Sequence, residues 1–219
     1  MIDAEVIENA REELYNIFCG MSRKELDGLR YTDCCHAKFK NNTLIEWIDE
    51  GASKLVFSLS LSGFNNYVFK IPFKGDFCNE MFLKKDYCEL EKDLYLYSKS
   101  LGFEDLLTKT SFVGVVLGIP VYIAERVRPM TDFFDLEDFP ISNLSKSVAN
   151  EIFSNSDYMF ADLPAKEHLE KFVEDYGEYK TYSLVDFILK YGLGDFHSGN
   201  IGIKKNGKIC LLDYSGFED

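Results

Sequence analysis

Leu193-Gly194-Asp195-Phe196-His197-Ser198-Gly199-Asn200 and, a short hairpin later, Leu212-Asp213-Tyr214-Ser215-Gly216 are the most informative residues of this chain. Between them lie two apolar runs, 201–205 and 208–212, joined by Asn206-Gly207. Asn-Gly between such runs is the strongest short-range hairpin signal, because both residues accept the positive φ of a tight primed turn. A hairpin returns its second strand beside its first, so Asn200 and Asp213 should face the same space. A carboxamide oxygen and a carboxylate are hard oxygen donors, suited to Mg²⁺ held together with substrate phosphates. Asp195, five residues before Asn200, adds a carboxylate able to orient or deprotonate a hydroxyl.

Outward from that stretch, the chain reads as helices, strands and helices again. Residues 3–19 place Val6, Ile7, Ala10, Leu14, Ile17 and Phe18 on one helical stripe, and Ser22 caps a shorter helix to about Leu29. Strands are expected at 44–48, at 54–61 with its alternating pattern, and at 67–72. A long helix over 79–101 ends at Gly102. Residues 111–116 and 120–127 flank Leu117-Gly118-Ile119 as a hairpin, and helices follow at about 143–153, 164–176 and 183–191. The sum is a five-stranded antiparallel sheet joined to a helical segment that closes on a hairpin.

The 195–200 loop and the Asp213-Tyr214-Ser215-Gly216 stretch resemble the catalytic loop and metal-binding region of the protein-kinase-like superfamily. The Gly-Asp-Phe-His-Ser-Gly-Asn wording is closest to the aminoglycoside and choline phosphotransferase branch, although Leu193 stands where that branch has His. The resemblance implies an α+β, bilobal kinase-like fold with an antiparallel five-stranded N-lobe and a small helical C-lobe ending in a metal-site hairpin. It spans about residues 44–217 and divides the chain into a helical extension (1–40), an N-lobe (41–127) and a reduced C-lobe (128–219).

Further roles come from the same resemblance. Lys70 is expected on the nucleotide α- and β-phosphates, held by a Glu of the following helix. Glu91 is the choice and Glu89 the alternative; two apart, they cannot share a helix face, and Leu94 and Tyr95 continue the face of Glu91. Backbone groups of Glu125 and Val127 are expected to meet adenine. The loop around Gly51, Ser53 and Lys54 should cover phosphates, though it carries one glycine where three are usual. Asn200 and Asp213 hold Mg²⁺, Asp195 serves as base or orienter, and His197 supports the loop. Three residues follow Gly216, so an activation segment is not expected.

Composition narrows the partners. With 24 Lys and Arg against 37 Asp and Glu the formal charge is −13, which disfavours nucleic acid and anionic membranes. Hydrophobic residues at 46% and charged residues at 28% are those of an ordered globular chain. Neither a signal peptide nor a membrane span is evident, so a soluble, cytoplasmic protein is expected. The six cysteines lack C-x-x-C spacing, and Cys34-Cys35-His36, as sequence neighbours, would point apart, so reduced thiols are expected and no zinc site.

Three functions fit this pattern. One is an ATP- and Mg²⁺-dependent phosphotransferase acting on a hydroxyl of a small molecule or a protein. Another is a nucleotide-binding pseudokinase working as a regulatory module, and the third is nucleotidyl transfer by the same residues. The N-terminal helices are a possible surface for a protein partner.

Overall fold

The computed structural model describes residues 1–32, 39, 42–50, 53–76, 81–82, 85–130, 139–159 and 161–214. It is a mixed α/β structure with a five-stranded antiparallel sheet and helices. Contacts divide the chain into two units, Met1–Asp93 with Lys109–Arg126, and Leu94–Thr108 with Val127–Asp219.

In the first unit, α1 (Ala4–Cys19) and α2 (Arg23–Gly28) precede the sheet. Asp3 caps α1 by accepting the Glu5 N–H. Ser22 and Glu25 form a reciprocal capping box at α2, a motif that contributes about 1 kcal/mol. The sheet strands are β2 (Ile45–Glu50), β3 (Lys54–Leu59), β4 (Tyr67–Pro72), β7 (Thr110–Val116) and β8 (Ile119–Glu125), in the order β2-β3-β4-β8-β7. Three two-residue strands, β1 (Tyr31–Thr32), β5 (Gly75–Asp76) and β6 (Met81–Phe82), make a small second sheet.

One face of the large sheet is apolar. Leu55, Phe57, Phe69, Ile71, Val113, Val121 and Ile123 share a buried cluster with Leu14 and Phe18 of α1 and with Leu29, which follows α2. Each such large side chain contributes about 1.5–3 kcal/mol on burial. Helix α1 packs on β7, where Arg11 donates from Nε and Nη2 to the Val113 carbonyl at 3.0 and 2.7 Å. The register of β7 slips between Phe112 and Gly114 at that point. Gly114 has φ +142°, and a Cβ there would stand 3.0 Å from Arg11 Nε, so glycine makes room for the guanidinium.

The opposite face carries Lys54, Val56 and Lys70, because Val56 pairs with Lys70 and Lys54 with Pro72 across β3 and β4. Helix α3 (Tyr87–Leu101) starts eight residues later than the expected 79. Asp86 explains the start: its carboxylate accepts the Glu89 N–H at 2.9 Å, the N-cap arrangement. Residues 79–80 and 83–84 of the expected helix lie outside the described residues, and 81–82 form β6.

The second unit contains α4 (Asn143–Ser154), α5 (Lys166–Tyr176) and α6 (Glu178–Tyr191), with a small sheet β11-β10-β9 formed by β9 (Arg128–Pro129), β10 (Ile201–Ile203) and β11 (Ile209–Leu211). Val148, Ala149, Ile152, Leu169, Val173 and Val185 knit the three helices together. Asp175 accepts the Ile209 N–H at 2.8 Å, and the Tyr176 hydroxyl donates to the Ile209 carbonyl at 2.7 Å. These contacts fasten the end of α5 to the terminal hairpin. Lys171 forms a buried ion pair with the same Asp175. Among the described residues, no helix is long and apolar enough to cross a membrane.

His168 on α5 is fully buried, and burial holds its imidazole down at about 4 against an ordinary 6.5, although the adjacent Glu167 carboxylate pulls the other way. The unfolded chain therefore takes up this proton first as pH falls. Stability should drop by about 3 kcal/mol between pH 6.5 and 4 from this residue, and be indifferent to it above that window. Denaturation midpoints of wild type and His168→Leu at pH 7 and pH 5 check it: the difference between the two pH values should shrink in the variant.

Candidate functional site

In the first unit, strand pairing and one helix turn assemble a buried charge cluster. Glu91 is fully buried, Lys70 is 7% exposed and Lys54 is 4% exposed. Lys70 Nζ donates to Glu91 Oε2 at 2.6 Å, and Lys54 Nζ pairs with Oε1 of the same carboxylate. Glu89 is on the helix exterior, its side chain 59% exposed and 3.6 Å from Lys92. Cys88, one turn before Glu91, is buried too, and that burial pushes its thiol pKa up.

Lys54 departs from the expectation that it lies in a phosphate-covering loop. It is the first residue of β3, and the β3–β4 register brings it onto the same face as Lys70. Ser53 is buried, and its carbonyl accepts the Phe73 N–H at 2.8 Å. Gly51 lies outside the described residues. Glu125 ends β8 in the first unit, its N–H donating to the Lys109 carbonyl at 2.9 Å, whereas Val127 belongs to the second unit. The Cys34-Cys35-His36 run is outside the described residues.

In the second unit, the loop after α6 is built around Asp195. This residue has φ +64°, and its side chain is 49% exposed. Asn200 Nδ2 donates to the Asp195 carbonyl at 2.8 Å and reaches its carboxylate at 3.3 Å. His197 turns inward on its own loop, where Nδ1 accepts the Gly199 N–H at 3.0 Å, while Nε2 stands 3.7 Å from Asp195 Oδ1. The loop runs straight into β10.

The hairpin backbone brings Asp213 within one residue of the strand partner of Asn200. The β10–β11 register pairs Ile201 with Leu211, and one step further the Leu212 N–H donates to the Asn200 carbonyl at 2.8 Å. Asp213 is therefore the residue that follows a direct partner of Asn200. Tyr214, next in the chain, is fully buried and donates to the Thr108 carbonyl at 2.9 Å, which anchors the strand end beside Asp213. An amide oxygen and a carboxylate suit Mg²⁺, which keeps waters and phosphate oxygens for its remaining positions. Among the described residues, no group of three or more His, Cys, Asp or Glu is placed to hold a metal.

Sequence reading did not single out Asp162. It precedes α5, and its Oδ2 accepts the Asp195 N–H at 2.8 Å. Asp162, Ile188, Leu189, Leu193 and Asp195 are among the residues lining a cavity of about 300 Å³, the lower end of the range for small-molecule sites. No spacing rule links residues 33 apart when one is in irregular chain.

No protein-family model matches the chain, and no curated protein matches it. Among solved structures, two variants of the Mycobacterium tuberculosis PknI kinase domain are similar. A single mutant shares 14% identity over 80% of this chain and 61% of its own, and a double mutant 12% over 80% and 60%. The TM-score is 0.33 for both. The chain thus spans about 60% of the length of these kinase domains.

Removing one partner from a buried ion pair costs about 3–5 kcal/mol, since the other charge is left without a counter-ion. Glu91→Ala strands two buried ammonium groups and should lower unfolding stability by at least that amount, whereas Glu89→Ala should cost about 0.5 kcal/mol or less. Urea denaturation of the two variants reads this directly. Equal losses would mean that Glu91 is not the residue on the lysines.

Proposed function

We propose that this protein is a kinase-like phosphotransferase that uses ATP and Mg²⁺ to move the γ-phosphoryl group to a hydroxyl. The observation that carries the reading is the fully buried Glu91 holding the Lys70 ammonium. A buried ion pair is a poor stabilising device, because desolvating each charge costs several kcal/mol. Its use is positional: a lysine gripped at one end presents a fixed positive charge to phosphate oxygens. Lys54 on the second carboxylate oxygen doubles that device relative to the single Lys–Glu pair of the resembling family.

The remaining roles follow from donor chemistry. Asn200 and Asp213 are the Mg²⁺ ligands, and the bound ion supplies charge neutralisation on the phosphate oxygens. Asp195 accepts the proton of the acceptor hydroxyl. The hydroxyl oxygen then forms its bond to the γ-phosphorus, the bond to the β,γ-bridging oxygen breaks, and ADP leaves with that electron pair. The exposure of Asp195 and the cavity beside it give an acceptor a way in. A charge of −13 slows anionic acceptors and favours neutral or cationic ones through steering.

Thermal-shift titration with ATP, with and without Mg²⁺, tests the nucleotide site. At a hundredfold excess over Kd the wild type should gain about 2.7 kcal/mol, and Asp213→Ala should lose the Mg²⁺-dependent part. Asp195→Ala should bind MgATP unchanged yet turn over none. Binding without turnover in the wild type would leave a nucleotide-sensing module, and no binding of any nucleotide would refute the reading.

A further inference from the structure

We infer that Asp162 is a positioning residue, one that holds Asp195 in the backbone conformation from which it acts; the inference rests on the phosphotransfer reading of Asp195. Among the described residues, Asp195 is one of three non-glycine residues with positive φ, with Phe39 and Leu117. Leu117 sits in the β7–β8 connection, where a tight turn demands such a conformation. Asp195 has no hairpin to impose it. Aspartate enters the left-handed region more readily than most residues with a side chain, and contacts on both sides of Asp195 hold it there.

The contacts that do so are visible on both sides of the residue. Asn200 takes the Asp195 carbonyl, and the Asp162 carboxylate takes its N–H. Of these two, Asp162 comes from outside the loop. Its bond is charge-assisted, of the stronger class of hydrogen bonds.

Gly194 is shaped to this contact. A Cβ there would stand 2.9 Å from Asp162 Oδ2, so the carboxylate would have to move away. The backbone of Gly194 is not in the left-handed region, so the glycine serves the approach of Asp162 rather than a turn. The pair thus forms one device, a carboxylate that reaches the Asp195 amide because its neighbour has no side chain. A general base must lie within about 2.6–3.2 Å of its proton, and misplacement by about 1 Å costs on the order of a hundredfold in rate. Release of the Asp195 amide would produce that kind of displacement without touching the nucleotide.

The test is steady-state MgATP turnover, with water as acceptor, for wild type, Asp162→Ala, Asp162→Asn, Gly194→Ala and the double variant Asp162→Ala/Gly194→Ala. Asp162→Ala should lower kcat roughly 10- to 100-fold while KM for MgATP stays within about twofold. Asp162→Asn keeps an acceptor oxygen and should recover most of the rate. Gly194→Ala should reproduce the loss, and the double variant should be no worse than either single one, because both remove the same contact. Unchanged kcat in Asp162→Ala, no rescue by Asn, or additive losses would overturn the inference. Hydrogen exchange of the Asp195 amide is read in parallel on the same proteins. It should be slow in wild type and fast in Asp162→Ala, and equal rates would also overturn it, even if no turnover is seen. An Asp195→Ala variant with full turnover would instead remove Asp195 from the mechanism while leaving phosphotransfer standing, and the exchange measurement would then judge the clamp alone.

Discussion

Two ammonium groups share one carboxylate in the interior of the first unit, and much of that unit is arranged to let them. Glu91 has no solvent to stabilise its charge, so the lysines must reach it. That requires β3 and β4 to pair in the register that sets Val56 opposite Lys70 and Lys54 opposite Pro72. It also requires α3 to begin at Tyr87, so that Glu91 falls on the sheet side and Glu89 on the solvent side. A slip of one residue in either strand would turn a lysine to the apolar face beneath α1. The charge cluster therefore acts as a register lock.

The second unit solves a different problem, the placement of a loop that buries only Leu193 and Phe196. Its fixed points are hydrogen bonds to main chain: Asp162 and Asn200 on Asp195, Tyr214 on Thr108, and Asp175 with Tyr176 on Ile209. Each satisfies a backbone group that would otherwise depend on solvent. Side chains used in this way fix the chain path itself, so the loop inherits the rigidity of the helices that flank it.

Periodicity carried the sequence reading furthest where it was strongest. Strand β4 has the expected bounds, 67–72, and α1 begins and α4 ends within a residue of theirs. Turn chemistry at Asn206-Gly207 and Ser22 marked the hairpin and the α2 cap. The start of α3 was overrun because apolar residues continue upstream, although Asp86 with Glu89 three residues on was a legible cap signal. Strands β1, β5, β6 and β9 are two residues long, too short for any alternation to show. Within the candidate site, the face occupied by Glu91 followed from Leu94 and Tyr95. The place of Lys54 depended on strand register, and that of Asp162 on a tertiary approach, neither of which composition or spacing encodes.

The Arg11–Val113 contact has a further bearing on how the sheet meets its surroundings. Strand β7 is an edge of the five-stranded sheet, and an edge with open carbonyls is a template on which another chain can add a strand. Here the irregularity at Gly114 turns one carbonyl out of the ladder, and a guanidinium from α1 occupies it with two donors. The helix that covers the apolar face thus also seals part of the border. A single arginine ties α1 to β7 and occupies an edge carbonyl that an added strand would need.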